Sequence, residues 1–381
     1  MNRPIRIAIL ADFPASALAG EVSGRGGGQG CTWLPQLALN FQNRSDLEVH
    51  WVILDRETRR SAVEQAFGQT FHRVPAARFS IDLALNYWPA RRVLHRAIKA
   101  INPDVVHAWG TERIYPAALR GLSMPTILSM QGVLTEYERI GCLGDSWHWK
   151  KMVKSEPEFM KSATVVTCES QWGIDKVKAF VPDAQCRMVE YGVHPSFYDI
   201  KWKPDPQTPY LLYIGSRGNR KGFDVLLEAL DNLPSRDWTC RVAGDPGMAE
   251  DIATAGVQGV ESLGLLGWDE MKQQIAGAWA VTLPTRADTS ANTVKESRVI
   301  GAPVVSTVHG GHTGYLKDGV NGRIIDPLNA KNLSAALQDV MGSHERAVEL
   351  GQGRHQEDRD YLKPEQTASL FADLYHELCD T

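Results

Sequence analysis

The chain has 381 residues, a hydrophobic content of 43%, a charged content of 23% and a formal net charge of −4. This is the composition of a globular protein that is long enough for two domains of ordinary size. No run of about 18 apolar residues occurs, which argues against a membrane-spanning helix. No basic block occurs either, which argues against a protein that binds nucleic acid.

The cysteine pattern and the start of the chain bear on its compartment. The six cysteines are scattered and form no C-x-x-C pair, and the apolar run of residues 5–10 is not followed by a small-residue cleavage site. We therefore expect reduced thiols, no zinc site and a cytoplasmic location.

The charges are spread unevenly along the chain. Residues 1–198 contain 23 Lys+Arg and 19 Asp+Glu, whereas residues 199–381 contain 18 and 26. A basic first half suits a domain that rests peripherally on the inner face of an anionic membrane, and residues 147–161, which mix tryptophans with lysines, are compatible with an interfacial helix. Ordinary variation of surface charge and a solvated helix face are the alternatives.

The first half of the chain alternates between strand and helix patterns. Predicted strands cover residues 6–10, 47–54, 104–109, 126–132 and 163–167, and predicted helices cover residues 31–41, 81–101 and 147–161. Such alternation predicts a parallel sheet with helices on both faces and with ligands beyond the carboxyl ends of its strands. A glycine-rich loop, residues 23–30, follows the first strand and would let the backbone approach a phosphate.

The second half begins after a proline-rich segment, residues 199–209, which we interpret as a linker. A predicted strand over residues 210–215 leads into a loop that contains Arg217 and Lys221, and a helix follows. The guanidinium fork, the ammonium group and the free N–H groups of the helix start are placed to clamp a diphosphate. A solvated basic turn is the alternative.

A strand–loop–helix–strand unit is predicted over residues 279–307, with Ser290 as the cap of its helix. Two carboxylates lie in this unit: Asp288 in the loop and Glu296 in the helix. Because a helix start offers free N–H groups and a positive partial charge, this loop suits a phosphate.

The spacing of Asp288 and Glu296, followed by Gly301-Ala302-Pro303-Val304-Val305, resembles the signature of the retaining glycosyltransferases of family 4, also called glycosyl transferases group 1. The resemblance implies the GT-B fold, an α/β architecture of two Rossmann-like, doubly wound domains that face a central cleft, with a C-terminal helix crossing back to the first domain. The expected bounds are residues 1–198 for the acceptor domain, 199–364 for the donor domain and 365–381 for the returning helix.

The resemblance also implies roles for individual residues. Asp288, where the family usually has glutamate, would face the donor sugar, and Glu296 would hold the ribose. Arg217 and Lys221 would bind the diphosphate and stabilise it as the leaving group. Gln131, where the family often has histidine, would orient the sugar. The other donor-binding positions that the match implies are Gly27, Gly28, Leu266, Ser290, Ala291, Asn292 and Thr293.

We therefore predict a retaining, metal-independent hexosyltransferase. It would move a sugar from a nucleotide-diphosphate sugar to a hydroxyl of a glycan or lipid-linked acceptor in cell-surface polysaccharide or glycolipid synthesis. No cofactor, no metal and no nucleic-acid partner is expected. Residues 358–360 (Asp-Arg-Asp) look like a D-x-D metal motif, but their polar surroundings favour a solvated charge run.

Two other classes of protein remain as alternatives. A nucleotide-sugar epimerase or a phosphorylase can share this fold; the epimerase would need no acceptor and the phosphorylase would use inorganic phosphate. A two-lobed protein that binds a sugar nucleotide without catalysis is the other alternative.

Overall fold

The computed structural model describes residues 3–18, 33–233 and 236–380. These residues form two compact α/β units. The first comprises the described residues up to Tyr191 together with those from Pro364 onward, and the second comprises Gly192–Lys363.

Regular structure alternates along the described chain as follows. The strands are β1 Ile5–Leu10, β2 Leu47–Asp55, β3 Ala62–Ala66, β4 Gln69–Pro75, β5 Val105–Trp109, β6 Thr126–Ser129, β7 Val165–Cys168, β8 Cys186–Met188, β9 Tyr210–Gly215, β10 Thr239–Gly244, β11 Val260–Gly264, β12 Ala280–Leu283, β13 Val304–Thr307 and β14 Gly322–Ile325. The helices are α1 Ala15–Leu18, α2 Trp33–Phe41, α3 Phe79–Ala84, α4 Trp88–Ile101, α5 Leu134–Arg139, α6 Trp147–Ser162, α7 Gln171–Phe180, α8 Phe223–Asp231, α9 Met248–Ala255, α10 Trp268–Gly277, α11 Asn292–Ile300, α12 Ala330–Val340, α13 His344–Gln352, α14 His355–Tyr361 and α15 Pro364–Asp380.

The sheet of the first unit has the strand order β3-β4-β2-β1-β5-β6-β7-β8 over the described residues. Its neighbouring strands are parallel except β3 and β4, which form an antiparallel hairpin that the sequence patterns did not predict. The hairpin turns at Phe67 and Gly68, whose φ angles are +51° and +67°. Two successive positive φ angles are typical of the tight turn that matches the twist of paired strands.

The single helix predicted over residues 81–101 is wrong, because the structure has two helices there. Asn86 and Tyr87 have φ angles of +52° and +63°, and they separate α3 from α4. Pro89, in the first turn of α4, has no N–H group to donate and its fixed φ suits a helix start. The residues that precede this proline are therefore a natural boundary.

The C-terminal helix α15 packs within the first unit against α2, β1 and β5. Its Phe371 and Tyr375 are fully buried. The Tyr375 hydroxyl lies 2.8 Å from Nδ1 of His107, and Nε2 of the same ring lies 2.7 Å from the Ser129 hydroxyl. Burial lowers the pKa of His107 to about 3, so the ring is neutral and structural.

The sheet of the second unit has the order β11-β10-β9-β12-β13-β14 over the described residues, and all neighbouring strands are parallel. If these six strands are numbered 1 to 6 from β9 to β14, their order in the sheet is 3-2-1-4-5-6, which is that of a doubly wound sheet. The direction of winding reverses between β9 and β12. In such sheets ligands bind beyond the carboxyl ends of the strands at that reversal, which here means the loops after β9 and β12.

The interpretation of residues 358–360 as a solvated charge run is wrong for Asp358. This carboxylate and the guanidinium of Arg298 are both fully buried and form an ion pair of 2.8 Å. Asn321 also donates to Asp358, at 2.8 Å, and Arg298 donates to the backbone carbonyls of Gly351 and Gly353. The pair thus holds α14 and the end of α13 against α11, the helix that carries Glu296.

Candidate functional site

The loops after β9 and β12 are locked together at the reversal of the second sheet. The backbone carbonyl of Arg220 accepts hydrogen bonds from the Thr285 hydroxyl at 2.9 Å and from the Arg286 N–H at 2.8 Å. Gly222 has a φ angle of +71°, and a Cβ there would lie 1.8 Å from the carbonyl oxygen of Pro284. Only glycine fits this approach, which fixes how Lys221 faces the second loop.

Lys221 and Asp288 meet at this point. Nζ of Lys221 donates to Oδ2 of Asp288, and Nη1 of Arg220 lies 3.5 Å from the same oxygen. Arg220 also donates to the backbone carbonyl of Ala287 at 3.1 Å. The side chains of Lys221 and Asp288 are 18% and 9% exposed. The structure therefore brings together two of the predicted site residues and adds Arg220, which the sequence interpretation missed.

The charge state of Asp288 follows from its neighbours. Burial alone would raise its pKa, but the nearby Lys221 and Arg220 outweigh burial and lower the pKa to about 2. The carboxylate is thus ionised at neutral pH. With two cations beside one anion, the cluster keeps a net positive charge that can attract phosphate.

His312 is buried beside this cluster and was not singled out in the sequence. Its Nε2 lies 2.8 Å from the backbone carbonyl of Thr307 and must donate to it, so the neutral ring carries its proton there. Burial lowers the pKa of His312, consistent with a neutral ring. Its Nδ1 is buried and has no hydrogen-bond partner among the described residues, so this nitrogen can accept a hydrogen bond from a ligand.

The start of α11 provides the third part of the site. The prediction that Ser290 caps this helix is wrong: Ala291 is the N-cap residue and no side chain caps it. The Ser290 hydroxyl is buried without a partner in the described part of the chain, while Thr293 donates its hydroxyl proton to the carbonyl of Ile214 at 3.1 Å. Asn292 is exposed. The first N–H groups of the helix therefore keep their positive partial charge.

Glu296 lies one helical turn further along α11 and is half-buried. Burial raises its pKa to about 7, although the neighbouring ammonium of Lys295 opposes this rise. The carboxyl group is therefore close to half-protonated at neutral pH. A carboxylate in this state can accept hydrogen bonds from ligand hydroxyls once it is ionised.

Arg217 is not part of the Lys221 cluster in this structure. Its guanidinium makes two bonds of 2.6 Å to Asp251 on α9, and its side chain is 48% exposed. The Arg217 N–H donates to Asp245 at 2.7 Å. Leu266, the predicted base-contacting position, is half-buried in the loop between β11 and α10. Gly27 and Gly28 lie outside the described residues.

A second group of polar residues lies in the first unit, beyond the carboxyl ends of β5 and β6. Gln131 is half-buried, and a Cβ on Gly110 would lie 3.1 Å from its Oε1 and 2.5 Å from Oε1 of Glu112. Gly110, with a φ angle of +74°, thus lets the two side chains approach from either side. Burial raises the pKa of Glu112 to about 7, with the nearby carboxylates of Glu156 and Asp12 acting in the same direction.

Metal ligands and membrane helices were sought throughout the part of the chain that the structure describes. Those residues contain no group of three or more His, Cys, Asp or Glu side chains that could hold a metal ion. None of the described helices has both the length and the apolar character needed to cross a membrane.

Two family profiles match the chain. The profile described as "Glycosyltransferase Family 4" matches residues 36–197, and the one described as "Glycosyl transferases group 1" matches residues 208–343. The matches therefore cover most of both units, including every site residue of the second unit named above.

Curated relatives are similar over part of their length. The chain is 25% identical to the lipopolysaccharide core biosynthesis glycosyltransferase LpsE of Rhizobium meliloti over 39% of this chain and 44% of the relative. It is 24% identical to the sulfoquinovosyl transferase SQD2 of Arabidopsis thaliana over 69% of this chain and 55% of the relative. The chain thus spans about half the length of these two relatives.

Solved structures resemble the whole described fold. Sucrose-phosphate synthase of Thermosynechococcus elongatus superposes with a TM-score of 0.79 at 15% identity, over 98% of this chain and 99% of that one. HepE of Anabaena, solved in complex with UDP and glucose, gives 0.70 at 14% identity, over 98% and 100%. The predicted fold class, GT-B with two parallel-sheet α/β domains, is confirmed.

Proposed function

Because the chain belongs to the family 4 glycosyltransferases of GT-B fold, we propose that it transfers a sugar from a nucleotide-diphosphate sugar to a hydroxyl acceptor with retention of the anomeric configuration. The observation that carries this proposal is the meeting of Lys221, Arg220 and the start of α11 at the reversal of the second sheet. Two buried polar atoms, the Ser290 hydroxyl and His312 Nδ1, have no hydrogen-bond partner among the described residues. They support the binding of a polar ligand at this point.

The proposed chemistry places charge stabilisation at the leaving group. The bond between the sugar anomeric carbon and the diphosphate oxygen breaks, and a bond to the acceptor oxygen forms on the same face of the sugar. The departing diphosphate gains negative charge, which Lys221, Arg220 and the first N–H groups of α11 would stabilise. The acceptor hydroxyl loses its proton to a departing phosphate oxygen, so that no side chain has to act as a base.

Asp288 has two roles in this proposal. Before the donor binds, it holds the Lys221 ammonium in place. Once the donor is bound, its carboxylate would accept hydrogen bonds from the sugar hydroxyls. Gln131 would orient the sugar, as the family resemblance implies. Arg217 would also bind the diphosphate. To do so it would break its ion pair with Asp251, which lies at the surface and is of modest strength.

The acceptor we propose is a glycan or a lipid-linked sugar of cell-surface polysaccharide or glycolipid synthesis. LpsE, a glycosyltransferase of lipopolysaccharide core biosynthesis, and SQD2, a sulfoquinovosyl transferase, support this class of acceptor. The enzyme would work in the cytoplasm and contact the membrane peripherally through its first unit. The exposed tryptophans Trp88 and Trp147, which lie among basic residues, support that contact.

The transfer is proposed to be independent of metal, because Lys221 and Arg220 supply the positive charge that a divalent ion would otherwise bring to the diphosphate. We therefore expect the rate of donor turnover in millimolar EDTA to stay within about twofold of the untreated rate. Donor turnover measured before and after chelation, with and without added Mg²⁺ or Mn²⁺, checks this. A loss that a divalent ion restores would contradict it.

Donor binding should strengthen as the pH rises through 7. The pKa of Glu296 is about 7 in the unliganded protein, so the ionised form that accepts ribose hydroxyl bonds grows from pH 6 to pH 8. The dissociation constant of a nucleotide sugar should fall about tenfold over this range. Calorimetry at several pH values measures it. Glu296→Gln should bind weakly at every pH, and a flat profile for the wild type would contradict the assignment.

A donor panel tests the proposed function. Uridine, guanosine and adenosine diphosphate sugars are each incubated with the protein, and released nucleoside diphosphate is followed with and without sugar or glycolipid acceptors. The proposal predicts turnover of one donor, with retention of the anomeric configuration in the product by NMR. Interconversion of sugar isomers without nucleotide release would instead indicate an epimerase, and dependence on inorganic phosphate a phosphorylase. Binding without any turnover would indicate a non-catalytic protein.

A further inference from the structure

A basic cavity lies in the first unit, away from the residues that the donor chemistry uses. Its volume is about 190 Å³, and it opens between α4, α6 and the short helical turn after β5. Four cationic side chains line it: Arg91, Arg120, Lys151 and Lys154. Four positive charges therefore surround one small cavity.

The four cations lack anionic partners in the described chain. None of them forms an ion pair with a described residue, and Lys151 donates to the neutral amide oxygen of Asn86 at 2.8 Å. The single acid of the lining, Glu158, is exposed and pairs with Lys161 at 3.2 Å. Like charges that converge without counter-ions repel one another. An anion in the cavity would remove that repulsion.

The remaining lining provides a rigid, polar frame for such an anion. The Tyr87 hydroxyl donates to the Ser155 hydroxyl at 3.0 Å, and Ser155 donates to the carbonyl of Lys151 at 2.9 Å. The first N–H groups of α4 are already bonded within the protein, that of Ala90 to the Asp82 carboxylate at 2.9 Å, so the four cations supply the positive charge of the cavity. The bonds of the two hydroxyls fix the wall beside which these cations lie.

Four exposed apolar side chains, which we call the apolar rim, lie on α3, α4, α6 and the turn between α3 and α4. Leu85 and Trp88 flank the lining residues of the α3–α4 turn and are 53% and 57% exposed. Trp147, at the start of α6, and Ile81, on α3, are 49% and 44% exposed, and α3 packs against α6. Exposed tryptophans beside cations are typical of a surface that enters the headgroup region of a membrane.

We infer that this cavity is a binding site for a phosphate group, with the cations holding the phosphate oxygens and the apolar rim entering the lipid surface that presents it. The rim favours the headgroup of an anionic phospholipid as the source over a free phosphate ester. The inference goes beyond the proposed transfer reaction, because no donor residue lines the cavity and the site would exist whatever the sugar.

The test uses a double variant of two exposed lining residues, Arg120→Gln with Lys154→Gln. The full-length protein is sedimented with phosphatidylcholine vesicles that contain no anionic lipid or about one third phosphatidylglycerol. Glycerol 1-phosphate and inorganic phosphate are titrated separately by calorimetry. Arg59→Gln with Lys178→Gln is the control, since it removes the same charge at exposed positions of the first unit outside the cavity.

The wild type should bind the anionic vesicles, and the cavity variant should bind them about 30-fold more weakly, with the control within about threefold of the wild type. Binding of glycerol 1-phosphate that the cavity variant alone loses would support the site with a soluble ester as its source. Equal losses in the cavity variant and the control would overturn the inference in favour of general surface charge. Absence of binding to vesicles and to both phosphates would also overturn it. Donor turnover, measured on the same variants, should be unchanged without membranes, so failure of this site and failure of the proposed transfer are distinguishable.

Discussion

Lys221→Met is expected to lower kcat for donor turnover by about 10²- to 10³-fold. The ammonium group lies closer to Asp288 than the Arg220 guanidinium does, and it would meet the charge that develops on the leaving diphosphate. Arg220, 3.5 Å from Asp288, remains and accounts for the residual activity. Because the ammonium acts most strongly when the diphosphate departs, the loss should fall mainly on kcat and less on KM.

The control for this variant is Lys317→Met, which removes the same charge from an exposed lysine of the second unit. Among the described residues, its ammonium group bonds only the backbone carbonyl of Thr313, at 3.0 Å. It should keep kcat within about twofold of the wild type. Lys221→Arg should recover part of the activity. Thermal unfolding of each variant separates loss of catalysis from loss of folding. Equal kcat values for Lys221→Met and Lys317→Met would contradict the leaving-group role.

Arg298→Met is expected to lower the free energy of unfolding of the second unit by about 3–5 kcal/mol, and the melting temperature by on the order of 10 °C. The substitution removes the ion-pair partner of the fully buried Asp358 and leaves it the Asn321 amide at 2.8 Å and the Arg354 guanidinium at 4.0 Å. Three backbone carbonyls, those of Ala302, Gly351 and Gly353, lose their Arg298 donor at the same time. Activity should fall with the folded fraction, because α11 carries Glu296.

Chemical denaturation of the variant measures this loss. Lys363→Met is the matched control, since it breaks an exposed ion pair of the second unit, with Asp360 at 2.6 Å, and should cost less than about 0.5 kcal/mol. The double variant Arg298→Met with Asp358→Leu should recover a large part of the stability, because no uncompensated charge then remains. A loss below about 1 kcal/mol for Arg298→Met would show that the buried pair contributes little.

The sequence patterns located the strands well because these are short, apolar runs with clear stops. The predicted strand over residues 279–283 is observed as Ala280–Leu283, and the one over residues 210–215 as Tyr210–Gly215. The α3–α4 boundary and the β3–β4 hairpin were missed, since both depend on positive φ angles at Phe67, Asn86 and Tyr87, and such residues leave little trace in a hydrophobic pattern.

The charged residues show where sequence patterns stop being informative. Glu156 looks like part of a solvated helix face, but it is fully buried, where it accepts bonds from the N–H groups of Leu134 at 3.0 Å and Thr135 at 2.7 Å. Asp358 is also buried, and its ion-pair partner, Arg298, lies 60 residues away along the chain. Such pairings are long-range, and no local spacing encodes them.

The donor-site residues were predicted in part. Lys221 and Asp288 could be placed in loops of the same sheet edge, and the structure brings them into contact. Arg220 was missed because it precedes Lys221 in a short turn whose geometry decides which side chain faces Asp288. Arg217 was predicted in the same cluster, but Asp251, far along the chain, binds it instead. Its role in donor binding remains a prediction.

The most direct test of the diphosphate site is a calorimetric titration of the protein with UDP, GDP and ADP. We expect that one of the three binds, and that Lys221→Met weakens this binding by at least about tenfold while Lys317→Met leaves it unchanged. If none of the nucleotides binds, or if both variants bind as the wild type does, the loops after β9 and β12 do not hold a nucleoside diphosphate, and the proposed donor site is wrong.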